Sequence, residues 1–177
     1  IWDYYVKRGG LNTFGYQASR KFRFRGTDVQ FFQRRVIQIL PDGSTGQLNI
    51  LDRGLLEYNV ANGATFPNFD EALVETAPPP GSVNYQAALL RWIGDNVPDV
   101  WEGVEVYFQD VFLNTVQFQE AYPDGNGDPN WMPGINLEMW GAVTSRPAAD
   151  PNNSNFIYLR FQRGIMHYDR GTGQTLG

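Results

Sequence analysis

The clearest short-range pattern runs from Lys21 to Arg25, where Phe22 and Phe24 alternate with Lys21, Arg23 and Arg25. That two-residue period predicts an edge strand with the phenylalanines turned inward and the arginines wet. Val29 to Leu40 and Phe156 to Tyr168 are rich in aromatic and β-branched residues and predict two strand pairs, centred on Phe31-Phe32-Gln33-Arg34 and Arg160-Phe161-Gln162-Arg163. Gly164 tolerates positive φ and predicts a tight turn at Arg163-Gly164, whereas Arg34-Arg35 predicts a bulge or a wider turn. One helix is expected after Asn84 as cap, with Ala87, Leu90, Trp92 and Ile93 on its buried side against a sheet, before Asn96-Val97-Pro98 stops it. Val104 to Gln119 is apolar, aromatic and β-branched, and its Tyr107-Phe108-Gln109 is expected to be a degenerate third copy of the Phe-Gln strand element.

The chain also repeats itself. Phe14-Gly15-Tyr16-Gln17-Ala18-Ser19-Arg20 is echoed by Trp140-Gly141-Ala142-Val143-Thr144-Ser145-Arg146, and Phe32-Gln33-Arg34 by Phe161-Gln162-Arg163. Gly43-Ser44-Thr45-Gly46-Gln47 matches Arg170-Gly171-Thr172-Gly173-Gln174, so three blocks recur in one order at a nearly constant offset. Each copy reads as a helical turn, an aromatic-Gly corner and a β-hairpin. The fold class that follows is α+β, mainly β, with a helix-containing insert between the copies. Pro78-Pro79-Pro80 marks a stiff boundary, dividing residues 1–77, the first repeat unit, from residues 78–177, the insert and second unit, with one compact domain as the alternative.

Composition narrows the chemistry. The absence of cysteine removes disulfides, Cys-ligated zinc and thiol catalysis together. No run of about 18 apolar residues is present, so no transmembrane segment is expected. The chain opens at Ile1 directly into an aromatic segment, Trp2, Tyr4 and Tyr5, and is expected to be a piece of a larger protein. Residues 1–53 carry nine lysines and arginines against four acids, the remainder five against fifteen, with a net charge of −5. The basic run Arg20 to Arg25 is read as a solvated strand face, and the acidic total argues against a nucleic-acid partner.

The pattern aromatic-Gly-x-x-[Ala/Thr]-Ser, then Phe-Gln-Arg and a Gly-rich return, resembles the Leu-Gly-Phe-Pro repeat family of bacterial cell-envelope proteins. Gln17 and Val143 stand where that family has proline, and Arg20 and Arg146 where it has an acid. Gly9 to Gly15, Val29 to Arg34, Asn136 to Gly141 and Phe161 to Asp169 are similar to an uncharacterised module of secreted proteins of green non-sulfur bacteria, which accompanies other extracellular domains. The resemblance implies an extracytoplasmic location and a supporting role, and brings no catalytic residues with it.

The candidate sites are few. Trp131, Tyr122 and Trp101 are the expected ligand-binding aromatics, because tryptophan and tyrosine join a large apolar face to a polar handle. Asp124, Asn126, Asp128 and Asn130 place oxygens at alternate positions, a pattern suited to Ca²⁺. Pro129 and Ile135 occupy the diagnostic Gly and Glu places of an EF-type loop, and a metal-free Asx turn is the competing reading. His167 is the only histidine and its counterpart in the first copy is Gln38, which favours an ordinary strand position over a general base. Together these features predict a non-catalytic structural or binding module that presents loops and aromatics to cell-wall glycan or to other surface-protein domains. Two alternatives stand beside it: a cell-wall glycan hydrolase using Glu138 and a second carboxylate, which would need the pair about 5 to 9.5 Å apart, and a subunit of an extracellular surface assembly.

Overall fold

A computed structural model describes residues 1–56 and 58–177. The first copy begins with two short helices, α1 (Trp2–Val6) and α2 (Gly10–Phe14), and continues as a four-stranded antiparallel meander of β1 (Phe22–Phe24), β2 (Thr27–Phe31), β3 (Val36–Ile39) and β4 (Thr45–Gln47). A small hairpin of β5 (Val60–Ala61) and β6 (Ala64–Thr65) and the turn-long helix α3 (Glu71–Val74) lead to the prolines. The insert holds α4 (Tyr85–Asn96), a hairpin of β7 (Val100–Trp101) and β8 (Val104–Glu105), then α5 (Phe108–Asn114) and α6 (Phe118–Ala121). The second copy follows as α7 (Met132–Trp140) and a second meander of β9 (Ala148–Asp150), β10 (Asn153–Arg160), β11 (Ile165–Asp169) and β12 (Gln174–Leu176). Helix and antiparallel sheet are thus mixed, as the α+β reading expects.

The two copies share their backbone in detail. Each helix ends on a glycine with φ +71 and ψ −167 at Gly15, and φ +70 and ψ −163 at Gly141. The glycine N–H returns to the helix, Gly15 to the Leu11 carbonyl at 2.9 Å and Gly141 to the Leu137 carbonyl at 2.7 Å. The hairpin tip then closes on the corner. Gln33 N donates to Tyr16 O and Gln162 N to Ala142 O, both at 3.0 Å, while Arg34 N donates to Phe14 O and Arg163 N to Trp140 O, both at 3.1 Å. The glutamine side chains complete it: Oε1 of Gln33 accepts from Tyr16 N at 2.9 Å, and Oε1 of Gln162 from Ala142 N at 2.8 Å. The repeated serines do the same further out, Ser19 Oγ accepting from Phe31 N at 2.9 Å and Ser145 Oγ from Arg160 N at 3.0 Å. Finally Arg34 Nη1 and Arg163 Nη1 donate to the carbonyls of Asn12 and Glu138, inside the last helical turn. Every signature residue of the repeat therefore supplies a donor or acceptor that the helix end and the hairpin tip would otherwise lack.

Several local expectations are corrected. The hairpin loops are Gln33-Arg34 and Gln162-Arg163, closed by Phe32 N to Arg35 O and Phe161 N to Gly164 O at 2.9 Å in both copies, and Gly164 is not among the positive-φ residues. The tips are alike because the helix carbonyls fix them, whatever residue follows. Asn84 precedes α4 but adopts a left-handed φ of 56 and gives no side-chain cap; Tyr85 N bonds Ser82 O at 3.1 Å instead. Leu89 and Ile93 are the buried positions of α4 while Ala87 is exposed, and the helix packs on α7. Phe108 lies in α5, so Tyr107-Phe108-Gln109 is no third strand copy. Phe108, Phe112 and Val116 recur at helical spacing and are fully buried, and that packing outweighs their strand propensity. On β1 the inward turn is partial: Phe22 stays 42% exposed and stacks on Phe31 at 5.4 Å.

Residues on both sides of the prolines share one apolar cluster, in which Phe14 and Ile37 join Leu89, Ile93, Phe112, Trp140, Phe161 and Met166. A smaller cluster of Val29, Val36, Ile50 and Leu51 also receives Ile165 from the second copy. Polar contacts tie the copies further. Arg160 Nη2 donates to the carbonyls of Leu51 at 2.9 Å and Leu56 at 3.0 Å. Arg35, fully buried, lies over the Trp140 ring at 3.9 Å from its centroid and donates to Met139 O at 2.8 Å. Burial pulls its guanidinium below the usual arginine range, yet arginine keeps its charge at neutral pH, and the ring face replaces lost water.

Candidate functional site

The first copy carries an open aromatic groove. Helix α1 lies beside the first sheet, and its Tyr5 stacks on Phe32 at 5.2 Å and on Trp2 at 5.4 Å. Trp2 is 72% exposed, and Tyr16, projecting from the aromatic-Gly corner, is 67% exposed. Between them lies a hollow of about 430 Å³ with Phe32 in its wall and the amides of Gln17 and Gln30 along its side. Both amides are anchored on one atom: Gln17 Nε2 donates to Ser19 O at 2.9 Å and Gln30 Nε2 at 3.2 Å. Their oxygens are thereby left as acceptors. Lys21 stands at the rim, paired with Asp28 at 3.4 Å.

The second copy shows what this face looks like when it is core. The counterparts of Gln17 and Gln30 are Val143 and Leu159, both 0% exposed, and Tyr16 is replaced by Ala142. Phe112 of α5 stacks on Phe161 at 5.8 Å, the place Tyr5 takes over Phe32. One backbone thus carries an apolar, covered face in one copy and a polar-edged aromatic groove in the other. The groove's combination of flat rings, amide acceptors and a partly enclosed volume suits a ligand with apolar C–H faces and several hydroxyls.

Comparison with family models, curated proteins and solved structures gives no match.

The residues expected from the sequence lie outside this groove. Trp131 is 65% exposed at the end of a 3-10 turn, Pro129–Trp131, as a loop aromatic should be. Tyr122 and Trp101 are half-buried and pack on the main core, and the ring of Tyr122 lies so close to Gly127 that a Cβ there would come within 2.2 Å. The three do not line the aromatic hollow. In the Asp124 loop the oxygens bond their own loop: Asp124 Oδ1 accepts from Asn126 N at 3.2 Å and Asp128 Oδ1 from Asn130 N at 2.9 Å. These bonds hold the Asp124 carboxyl below its ordinary range, and among the described residues no cluster of three or more His, Asp or Glu side chains gathers around a cation-sized gap. His167 sits in β11 opposite Tyr158, its ring 6.1 Å from that of Tyr158 and 5.9 Å from Phe156; burial lowers its pKa, and Asp169 opposes this.

Glu138 lines a hollow of about 500 Å³ between the second corner and α4. Its Oε2 accepts from Arg8 Nε at 3.0 Å and Nη2 at 2.9 Å, so its partner is a guanidinium. Burial, then the charge of Glu138, pushes the nearby Tyr4 phenol far above its ordinary range, although no well-formed hydrogen bond joins them. Glu138 is the one carboxylate among the described residues lining this cleft. The sequence reading missed Trp2, Tyr16, Gln17 and Gln30; the signal lay in aligning the copies, where Gln replaces Val143 and Leu159 at core positions.

Proposed function

We propose that the chain is a non-catalytic binding module of an exported bacterial envelope or surface protein, and that the groove of the first copy holds a glycan. One observation carries this reading: Trp2 and Tyr16 flank a hollow whose equivalent in the second copy is closed core, with glutamine amides where that core has aliphatic side chains. A missing protein helix would call for apolar residues at those two places. Sugar rings stack their C–H faces on aromatic side chains and exchange hydroxyl hydrogen bonds with amides, which matches the residues present.

The experiment is a glycan array probed with the purified chain, followed by titration calorimetry on the best ligand. Trp2→Ala and Tyr16→Ala are each expected to weaken binding about tenfold or more, since stacked aromatic anchors typically contribute about 2 kcal/mol. Trp131→Ala is expected to bind like the parent. Circular dichroism should be unchanged in all three, because each side chain is largely exposed. Binding that survives in both groove variants, or an array with no signal, overturns the proposal.

A further inference from the structure

We infer that the corner adjoining the groove is a carboxylate subsite, so that the glycan is an acidic one containing uronic-acid residues; this rests on the glycan reading and specifies its ligand class. Both corners of the repeat enclose a hollow, about 390 Å³ at Gly15, Gln33 and Arg34 and about 500 Å³ at Gly141, Gln162 and Arg163. In the second copy the outward donors of this corner are met by the protein itself. Arg163 Nε donates to Asn49 Oδ1 at 2.7 Å, and Gln162 Nε2 to the Asp52 carboxylate at 3.3 Å. Leu51 N also bonds Gln162 O at 3.0 Å, so the segment Asn49 to Asp52 plugs the corner with an amide oxygen, a carboxylate and a backbone N–H.

In the first copy the same two side chains keep their scaffold bonds, Gln33 Oε1 to Tyr16 N at 2.9 Å and Arg34 Nη1 to Asn12 O. Both are exposed, and among the described residues Gln33 Nε2 and Arg34 Nε have no protein partner and Arg34 forms no ion pair. Glu120, which reaches Asn12 Nδ2 at 3.2 Å, is already held by Gln117 N at 2.8 Å. A carboxylate presents two acceptor oxygens to this pair of donors, and an arginine edge takes it with a charge-assisted bond. The plug of the second copy is thus an internal stand-in for the ligand of the first.

Tyr16 fixes the continuity, since it lines both the aromatic hollow and the corner hollow. A sugar chain lying on Trp2 and passing Tyr16 meets Gln33 and Arg34 next. The residues lining both hollows all belong to residues 1–53, which hold nine basic side chains against four acids.

The test sets oligosaccharides of galacturonate, glucuronate and mannuronate against their methyl esters, which keep the ring and lose the charge. The acid form should bind about tenfold tighter than its ester, a preference that shrinks as salt is raised. In Arg34→Gln the two forms should bind alike, with the ester unaffected, and Arg34→Lys should retain part of the preference. In the unaltered chain, NMR titration with the uronate should move the side-chain amide of Gln33, which needs no variant to fold. Equal binding of acid and ester, with both lost in the Trp2 and Tyr16 variants, overturns this inference and leaves the glycan groove standing. Absence of all glycan binding, with capture of a peptide of the sequence Asn49 to Asp52 at the corner, overturns both and makes the corner a peptide site.

Discussion

The glycine at the repeat corner gives the sharpest test of the scaffold. At Gly141, φ +70 with ψ −163 lies in a region essentially reserved for glycine, and an added Cβ would stand 2.7 Å from Gln162 Oε1 and 2.9 Å from its Cβ. Backbone strain of this kind costs about 1–3 kcal/mol. Displacing the Gln162 amide also forfeits its bond to Ala142 N, about 1 kcal/mol more. Gly141→Ala is therefore expected to lose roughly 2–4 kcal/mol, which for a chain of this size lowers Tm by about 5–15 °C. Gly15→Ala should lose a similar amount, because its Cβ would meet Gln33 Cβ and Oε1 at 2.8 Å. The control is Gly43→Ala: φ is +82 there but no atom lies within 4 Å, so only left-handed strain of about 1 kcal/mol applies. Urea unfolding followed by tryptophan fluorescence, with a calorimetric scan, gives all three values. Corner variants that cost no more than Gly43→Ala would refute the interlocked corner.

Two further outcomes follow from buried polar groups. Asn136 is fully buried, with Oδ1 accepting from Val116 N at 2.8 Å and Nδ2 donating to the Leu113 and Met132 carbonyls at 2.6 and 3.2 Å, so Asn136→Ala should cost about 2–4 kcal/mol in urea unfolding. Asn136→Asp should cost more near neutral pH and recover in acid, because a carboxylate would face those carbonyls. His167 has a folded pKa below the ordinary 6.5, so as pH falls through that value the unfolded chain takes up a proton that the folded chain resists, and stability declines. His167→Gln, the residue of the first copy, should flatten the fall between about pH 7 and about pH 5; an unchanged slope would show that the ring is not desolvated as described.

The repeat was legible because its signature residues are consumed in geometry that few other side chains satisfy. Gly15 and Gly141 escape a clash, Gln33 and Gln162 fill an orphan amide, and Ser19 and Ser145 cap a strand, so the same letters recur. Helix α5 was hidden because Phe108, Phe112 and Val116 favour strands locally, and only their burial against Phe161 and α7 selects the helix. The aromatic groove was hidden for the opposite reason. It lies where the copies diverge, at Tyr16, Gln17 and Gln30, and Trp2 gains meaning only once α1 is seen stacked on the first sheet. Trp131 met its expectation of exposure, but exposure alone brings no second ring or amide beside it.

Two units of one design need a reason to assemble in a single order, and Arg35 with Gly164 supplies it. These positions are equivalent in the hairpins, yet the side chain of Arg35 fills the space beside Gly164: a Cβ at 164 would come 3.1 Å from Arg35 Nη1 and 3.2 Å from the Trp140 ring. The first tip can therefore slide under the Trp140 corner of the second copy, while the reverse nesting would leave a cavity where Gly164 offers nothing to fill it. With the first tip committed inward through Arg35, the segment that leaves the first copy runs on through Asn49 to Asp52 and bonds the second tip.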